Sequence, residues 1–274
     1  MTHWWLLLIL VHVTITLPPY MLLLIQSPLE QFEVVPLIAI SLPLLGSTVV
    51  ALTNLGLYTL VTLSLIVALH VVANNEHRLV PSAWSLSLEA MVVSLSSMVR
   101  DQIGSRHEIY TPFIYTLFVY ILVLNLNGNV PYGYTVTTSG IAALGLSVFV
   151  WVAVTALGLY RHGVHFFAYF VPAGTPLALV PMLVLIETVS YLARAASLGV
   201  RLFSNMTAGH TLLKILATFL GKLFSAGVLV AIVTVVPMAI FTALIGLELA
   251  VSLIQSYVFC VLTCSYIKDA IELH

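Results

Sequence analysis

Four ionisable side chains lie in one strongly apolar stretch of the sequence, residues 184–213. They are Glu187, Arg194, Arg201 and His210. Ionisable side chains inside a membrane cost about 2.5–3.5 kcal/mol each to insert, and they commonly mark a path for ions or protons. Glutamate and histidine can exchange protons, whereas arginine keeps its charge. These residue types therefore suit a proton relay on either side of a fixed positive charge.

A helix through this stretch would carry most of its polar residues on one face. At 100° per residue, seven side chains point within about 40° of one direction: Glu187, Ser190, Arg194, Ser197, Arg201, Asn205 and Ala208. His210 faces the opposite side. The same stripe could instead pair with a neighbouring subunit or form a static polar seam.

A second apolar stretch, residues 224–268, also carries polar residues on one helical face. The residues that share this face are Glu248, Ser252, Gln255, Phe259 and Tyr266. The two stretches predict a hairpin of two long helices, each with a polar face. Both helices exceed the roughly 20 residues that cross a bilayer upright, so we expect each to be steeply tilted.

The composition predicts an all-α polytopic membrane protein. Of 274 residues, 61% are hydrophobic and only 7% are charged, against about 25% charged in ordinary soluble domains. The net charge of −1 argues against nucleic-acid binding.

Apolar runs and their polar boundaries predict about five membrane-embedded helices and one amphipathic surface helix. Residues 1–26 form an apolar extension or leader, and residues 27–274 form a single membrane domain. Within this domain we expect a span at 51–73, a surface helix at 85–99, spans at 111–130 and 140–160, and the long pair at 176–222 and 224–268.

The loop arginines predict the orientation. Arg78, Arg100, Arg106 and Arg161 all fall on one side of these spans, whereas the loop at 128–140 contains no lysine or arginine. The positive-inside rule places the arginine side in the matrix or cytoplasm.

The sequence contains no clear metal or nucleotide site. His162 and His165 could suggest a metal, but two histidines in a basic loop are more typical of a solvated cluster. Cys260 and Cys264 are four residues apart in an apolar run, which is typical of small core residues.

Several motifs resemble subunit a of the F-type ATP synthase. The stretch S-L-G-V-R-L-F-S-N-M-T-A-G-H, from Ser197 to His210, is similar to the signature of that family, and L-E-L-A-V-S-L-I-Q-S-Y-V-F-C-V-L-T-C-S-Y-I is similar to its last helix. Three further segments resemble the mitochondrial branch: S-P-L-E-Q-F-E, V-P-S-A-W and V-P-A-G-T-P-L-A-L-V-P. The resemblance covers about residues 27–274.

The resemblance implies a proton-translocating stator subunit whose helix hairpin lies beside a rotating ring of c subunits. Arg201 corresponds to the family's essential arginine, which faces the ring carboxylates between two offset half-channels. Glu187 corresponds to an acid of the matrix-side path, and His210 with Glu248 to a pair on the path from the intermembrane space. Asn205 and Gln255 would lie near the ring.

The remaining site residues are less specific. Ser197 and Ser252 belong to the same polar faces and are expected along the proton path. Arg194 is either a secondary charge of this path or a partner for Glu187. Many mitochondrial relatives carry a histidine where this chain has Ser139, so the resemblance carries no proton-access role to that loop.

The resemblance also implies partners and a location. The chain would bind no nucleotide and need no cofactor. Its partners would be the c ring, peripheral-stalk and other membrane-sector subunits, lipids and a second copy in a synthase dimer. The combination of His210 with Glu248 is the mitochondrial arrangement, which favours the mitochondrial inner membrane over a bacterial plasma membrane.

Other classes of protein fit the sequence less well. A secondary transporter should show internal repeats and matching broken helices, and the two long helices do not repeat each other's motif. A haem-binding respiratory subunit would need facing histidines deep in the membrane, whereas His70 and His210 do not form such a pair. A purely structural subunit would tolerate neutralisation of Arg201.

Overall fold

The computed structural model describes residues 13–14, 27–42, 48–73, 80–130, 133–171, 179–225 and 234–272. Six α-helices dominate these ranges: α1 Asn54–Ala73, α2 Ala83–Ile103, α3 Thr111–Gly128, α4 Gly140–His162, α5 Val180–Ser225 and α6 Val235–Ile271. Short 3-10 segments lie at Glu30–Phe32, Ser105–Tyr110, Val136–Thr138 and Gly163–Phe170. The predicted N-terminal extension lies outside the described residues, apart from 13–14.

A small antiparallel sheet precedes the first helix, and the sequence analysis did not predict it. Its strands are β1 Val13–Thr14, β2 Pro36–Leu42 and β3 Thr48–Thr53, in that order across the sheet. β-Branched residues, which are frequent in β3, favour extended backbone. Residues 51–53 complete β3, so α1 begins at Asn54 rather than at the predicted residue 51.

Asn54 forms the boundary between the sheet and α1. Its Oδ1 accepts hydrogen bonds from the backbone N–H groups of Leu55 at 2.8 Å and Val35 at 3.2 Å, and its Nδ2 donates to the carbonyl of Glu33 at 2.9 Å. A side-chain oxygen that satisfies backbone donors at a helix start is a capping interaction. The cap ties the N-terminal segment to the first membrane helix.

The predicted amphipathic helix corresponds to α2. Ser82 caps its start by accepting a hydrogen bond from the Ser85 N–H at 3.3 Å, and Gly104 ends it with φ of 101°, a conformation that favours glycine. Its last turns are buried in the bundle, through Leu95, Met98, Val99 and Ile103. Its position at the membrane surface stays a prediction.

Within the described ranges, five helical segments are long and apolar enough to cross a membrane: 54–73, 105–128, 140–170, 180–224 and 235–271. The prediction of about five membrane-embedded helices is confirmed. Helix α5 has 46 residues and α6 has 37, or roughly 69 Å and 55 Å at 1.5 Å per residue. Both lengths exceed the roughly 30 Å hydrocarbon core, which is why we still expect both helices to be steeply tilted.

The long helices are held by close contacts with α3 and α4. A Cβ added at Gly199 of α5 would lie 2.6 Å from Ser147 Oγ of α4, and this serine donates to the carbonyl of Ala195 at 2.8 Å. Small residues let membrane helices approach closely. On the other side, Asn125 of α3 donates from Nδ2 to the carbonyl of Ser252 in α6 at 3.4 Å. These contacts fix the two helices that carry the candidate residues.

Candidate functional site

The side of α5 that carries Arg201 is turned away from the bundle. Five residues of the predicted polar stripe are exposed in the isolated chain: Ser190, Ser197, Arg201, Asn205 and Ala208. No carboxylate among the described residues lies within ion-pair distance of Arg201. A guanidinium that faces lipid alone is costly, so this face is a candidate surface for a polar or charged neighbour.

Two members of the predicted stripe are directed differently. Glu187 and Arg194 are about 30% exposed and form a cluster with α6. Arg194 lies 2.9 Å from Asp269 Oδ2 through Nη1 and 3.6 Å from Glu187 Oε1 through Nη2, and it donates to Tyr169 Oη at 3.0 Å. Part of the stripe is therefore covered, because α6 packs beside α5 and supplies Asp269 to Arg194. The contact of Arg194 with Glu187 agrees with one of the two roles predicted for this arginine.

The second cluster also joins α5 and α6, and it lies about six turns away from the first along α6. His210 Nδ1 lies 3.1 Å from Glu248 Oε1, so the predicted meeting of these two side chains is confirmed. The distance is that of an ion pair, yet Oε1 accepts no well-aligned hydrogen bond. His210 Nε2 lies 3.0 Å from the hydroxyl of Thr135, in the segment between α3 and α4.

The remaining candidate residues lie close to this pair. Asn205 Nδ2 donates to Gln255 Oε1 at 2.8 Å. Ser252 is fully buried, accepts from Asn129 Nδ2 at 2.8 Å and donates to the Glu248 carbonyl at 2.9 Å. These bonds give Ser252 a clear structural role in addition to any chemical one.

Glu248 lines two cavities. The larger, a vestibule, has a volume of about 850 Å³ and is also lined by Gln31, Tyr134, His210 and Lys214. The smaller, of about 330 Å³, is lined by Asn205, Ala208 and Gly209, and Asn205 and Ala208 share the exposed face of α5 with Arg201. Glu248 therefore borders both the vestibule and a cavity beside this exposed face.

Residues distant in sequence form the wall of the 850 Å³ vestibule. Tyr134 donates from its hydroxyl to the carbonyl of Phe32 at 3.5 Å and packs near Tyr58 of α1, with ring centroids 6.1 Å apart. Burial raises the pKa of Tyr134 above its usual value, so this phenol stays neutral at physiological pH. The N-terminal segment and the α3–α4 connection thus close the same side of the vestibule.

A smaller cavity lies beside the Arg194 cluster. It has a volume of about 20 Å³, enough for one water molecule, and is lined by Trp151, Tyr191, Arg194, Tyr266 and Asp269 among others. Aromatic side chains surround it, so the cluster is screened from bulk solvent on this side.

The structure gives no support for a metal site in its described part. No group of three or more histidine, cysteine, aspartate or glutamate side chains comes together there. His162 bonds through Nε2 to the carbonyl of Ile271 at 3.1 Å, and Cys260 and Cys264 are buried free thiols.

Sequence reasoning missed three residues of the site. Asp269 lies about 60° around the helix axis from the predicted polar face of α6. A wider angular limit for that face would have included it. A Cβ at Gly209 would lie 2.9 Å from Glu248 Oε1, and Thr135 contacts His210 from a separate segment. Periodicity along one helix carries no signal for the last two, because both depend on how separate elements meet.

Comparison with known proteins places the chain in a family. The family model described as "ATP synthase A chain" matches residues 56–268. A protein of Mycosarcoma maydis named "ATP synthase subunit a" is 59% identical over 93% of this chain and 100% of its own length. Proteins of the same name from Emericella nidulans and Saccharomyces cerevisiae are 45% and 42% identical, each over 91% of this chain and over 98% and 97% of their own lengths.

The similarity extends through nearly the whole length of these relatives and includes both long helices. The eukaryotic relatives, together with the five apolar helices, identify a multi-pass protein of the mitochondrial inner membrane. The resemblance seen in the motifs around Arg201 and Glu248 is confirmed: the chain belongs to the ATP synthase subunit a family and is a membrane-sector subunit of the F-type ATP synthase.

Proposed function

We propose that this chain carries protons through two offset half-channels that open on the exposed face of α5, with Arg201 between them. The observation that carries the proposal is the position of Arg201. It is exposed, has no carboxylate partner in the described part of the chain, and lies along α5 between the Glu187 cluster and the His210–Glu248 pair. At 1.5 Å per residue it is about 21 Å from Glu187 and about 14 Å from His210.

The path from the intermembrane space would use the 850 Å³ vestibule. A proton would pass from water to His210 and Glu248, and then across the 330 Å³ cavity toward the face of Asn205. Glu248 borders both cavities, which supports this order of transfer. Gln255 Nε2 is buried and has no hydrogen-bond partner in the described part of the chain, so it can bind a water on this route.

The matrix-side path would begin at Glu187. This carboxylate is only partly exposed and shares Arg194 with Asp269. Two carboxylates with one arginine leave one negative charge that a single proton would neutralise, which supports a proton-accepting role for Glu187. Ser197 would continue the path along the exposed face toward Arg201. In this arrangement Arg194 is a fixed charge that positions the two acids.

The partner of the exposed face would be a ring of c subunits whose carboxylates pass Arg201. A deprotonated carboxylate in lipid has a prohibitive free-energy cost when it is alone, and the charge of a neighbouring arginine compensates for that cost. The fixed positive charge of Arg201 also repels a proton that approaches from either half-channel. Protons must then cross on the rotating ring. For each elementary charge that crosses, the membrane potential supplies a free energy of about 2.3 kcal/mol per 100 mV.

The other parts of the complex would supply the remaining functions. Nucleotide chemistry would belong to other subunits, so this chain would be no enzyme by itself. Peripheral-stalk subunits, other membrane-sector subunits, lipids and a second copy in a synthase dimer would cover its remaining apolar surface, and α1 is the least buried of the candidate spans in the described part of the chain.

Substitution of Arg201 tests the proposal. Arg201→Ala should abolish proton-driven ATP synthesis and let protons leak, because the barrier between the two paths is removed. The measurement is ATP synthesis and passive proton flow in membranes that contain equal amounts of assembled complex. Arg106→Ala, which removes an exposed arginine of the 3-10 segment before α3, is the matched control and should behave as wild type. Normal synthesis by Arg201→Ala would refute the proposal.

Arg201→Lys separates charge from geometry. Lysine keeps a positive charge but loses its proton more readily on burial and lacks the planar fork of arginine. We expect this variant to couple at less than roughly a tenth of the wild-type rate. If the lysine variant synthesises ATP at the wild-type rate while the alanine variant does not, a positive charge is sufficient for coupling. That result would refute only the argument from the guanidinium geometry.

A further inference from the structure

We infer that Thr135 is a positioning residue that selects the tautomer in which His210 exchanges a proton with Glu248. The inference rests on the proposed function, in which these two side chains form part of one proton path. It adds a role for the segment between α3 and α4, to which neither the resemblance nor the sequence pattern gave one.

The contacts of the Thr135 hydroxyl determine which ring nitrogen carries the proton. Its Oγ1 is 3.3 Å from the carbonyl oxygen of Gly128, to which it donates, and 3.0 Å from His210 Nε2. Gly128 ends α3, where carbonyl groups lack partners within the helix. A hydroxyl has one proton to donate, so once Gly128 receives it, the hydroxyl accepts a hydrogen bond from Nε2–H.

The consequence appears at the other nitrogen of the ring. A neutral imidazole carries a single proton, so Nδ1 presents a lone pair 3.1 Å from Glu248 Oε1. When the glutamic acid transfers its proton, the O–H bond breaks as the N–H bond forms, giving a carboxylate and an imidazolium. The reverse step restores both neutral groups. The other tautomer, with Nδ1 already protonated, could not accept this proton.

The surrounding backbone holds Thr135 in place. Its carbonyl accepts hydrogen bonds from the Thr138 N–H at 3.2 Å and from the Thr138 hydroxyl at 2.6 Å. A Cβ at Gly128 would lie 2.4 Å from Thr135 Cγ2, so only glycine permits this approach. Thr135 itself is 6% exposed, which limits competition from water for its hydroxyl.

The other titratable groups around His210 are unchanged by substitutions at Thr135. Glu248 faces it from α6, Lys214 lies one turn later on α5, and Tyr134 and Tyr58 line the same vestibule from the α3–α4 connection and from α1. These groups are the same in the wild type and in the Thr135 variants, so a difference in rate between them is caused by the loss of the Thr135 hydroxyl.

The test is Thr135→Val, measured as ATP synthesis per assembled complex under a fixed potassium diffusion potential with equal pH on both faces. At about pH 8 the rate should fall roughly two- to tenfold, the factor that corresponds to one net hydrogen bond. The loss should shrink only at a pH low enough to convert His210 to an imidazolium, which carries both protons and has no tautomer to select. Thr135→Ser restores the hydroxyl and should stay within about twofold of wild type.

Thr137→Val is the matched control. Thr137 lies in the same buried segment, but its hydroxyl has no hydrogen-bond partner in the described part of the chain, so the same substitution there should leave the rate unchanged. If Thr135→Val does not assemble, Thr135→Ala is measured in its place with the same expectation.

Two results would overturn the inference: a wild-type rate for Thr135→Val at about pH 8, or a loss that is constant across pH and not rescued by serine, which indicates a merely structural role. Glu248→Gln distinguishes this failure from failure of the proposed function. If Glu248→Gln is slow while Thr135→Val is normal, only the role of Thr135 is refuted. If Glu248→Gln runs at the wild-type rate, the proposed proton path itself is refuted.

Discussion

Glu248 and Glu187 provide the most direct test at the scale of single residues. Glu248→Gln and Glu187→Gln preserve side-chain shape but remove a group that can carry a proton. We expect each to lower proton-driven ATP synthesis at least roughly tenfold, since one positioned acid or base commonly contributes that much or more. The measurement is the rate per assembled complex. Glu89→Gln, an exposed acid of α2, should have no effect, and normal rates for both test variants would refute their roles.

Gly209 gives a second prediction at this scale. Gly209→Ala would place a Cβ 2.9 Å from Glu248 Oε1 and displace this carboxylate from His210, so we expect a severalfold loss of synthesis. Helix stability should not suffer, because alanine is favoured over glycine in a helix by about 1 kcal/mol. Gly221→Ala in the same helix meets no atom within 4 Å and is the control. Equal rates for the two variants would show that the carboxylate tolerates displacement.

The sequence was sufficient to predict the direction of a side chain where that direction depends only on its position around one helix. His210 lies nine residues after Arg201, and this spacing predicted that it faces away from Arg201; its pairing with Glu248 was implied by the resemblance. Asp269, Gly209 and Thr135 were missed for a different reason. Their contacts depend on the separation of α5 and α6 and on the path of the α3–α4 connection, which no periodicity encodes.

At the scale of elements, the crossing of α4 and α5 depends on Gly199. Gly199→Ala would bring a Cβ within 2.6 Å of Ser147 Oγ and 3.0 Å of the Ala143 carbonyl, which forces the helices apart. Overpacking of this kind typically costs about 1–3 kcal/mol. We expect less assembled complex and a lower melting temperature of the purified complex.

Gly145→Ala is the control for this crossing. It lies on α4, yet an added Cβ there meets no atom within 4 Å, so the melting temperature should not change. Equal melting temperatures for Gly199→Ala and Gly145→Ala would show that the crossing adapts without cost.

The helices that cross the membrane were predictable from the length and hydropathy of their apolar runs. The strands and the ends of the long helices were less predictable. The spans expected at 111–130 and 140–160 correspond closely to α3 and α4. The strands β2 and β3 were not predicted, because an apolar run in a membrane protein fits a helix as well as a strand. Helix α5 continues to Ser225, past its predicted end at residue 222, and α6 ends at Ile271 rather than at 268. Gly221 does not end α5, since one glycine inside a helix costs only about 1 kcal/mol. The predicted start of the first helix at 176 and residues 226–233 of the second lie outside the described part of the chain.

For the whole molecule, the orientation in the membrane is testable by labelling. Val130→Cys, near the vestibule, should react with a membrane-impermeant thiol reagent from the intermembrane space, and Val164→Cys, after α4, should react from the matrix side. Both positions are exposed, at 56% and 86%, and the native Cys260 and Cys264 are buried, which keeps the background low. Labelling of Val130→Cys from the matrix face would reverse the assignment, which follows from the loop arginines.

In the proposed mechanism, the vestibule would also determine where the membrane voltage acts. At roughly 30 Å³ per water molecule, its volume of about 850 Å³ has room for tens of waters, and its wall includes the polar side chains of Asn129, His210, Lys214 and Glu248. As a half-channel filled with water it would conduct well, so little of the voltage would fall across it. The electric field would instead be concentrated over the protein and the proposed ring, between Glu248 and the matrix side. Most of the electrical work per proton would then be done during ring rotation rather than during the approach to His210.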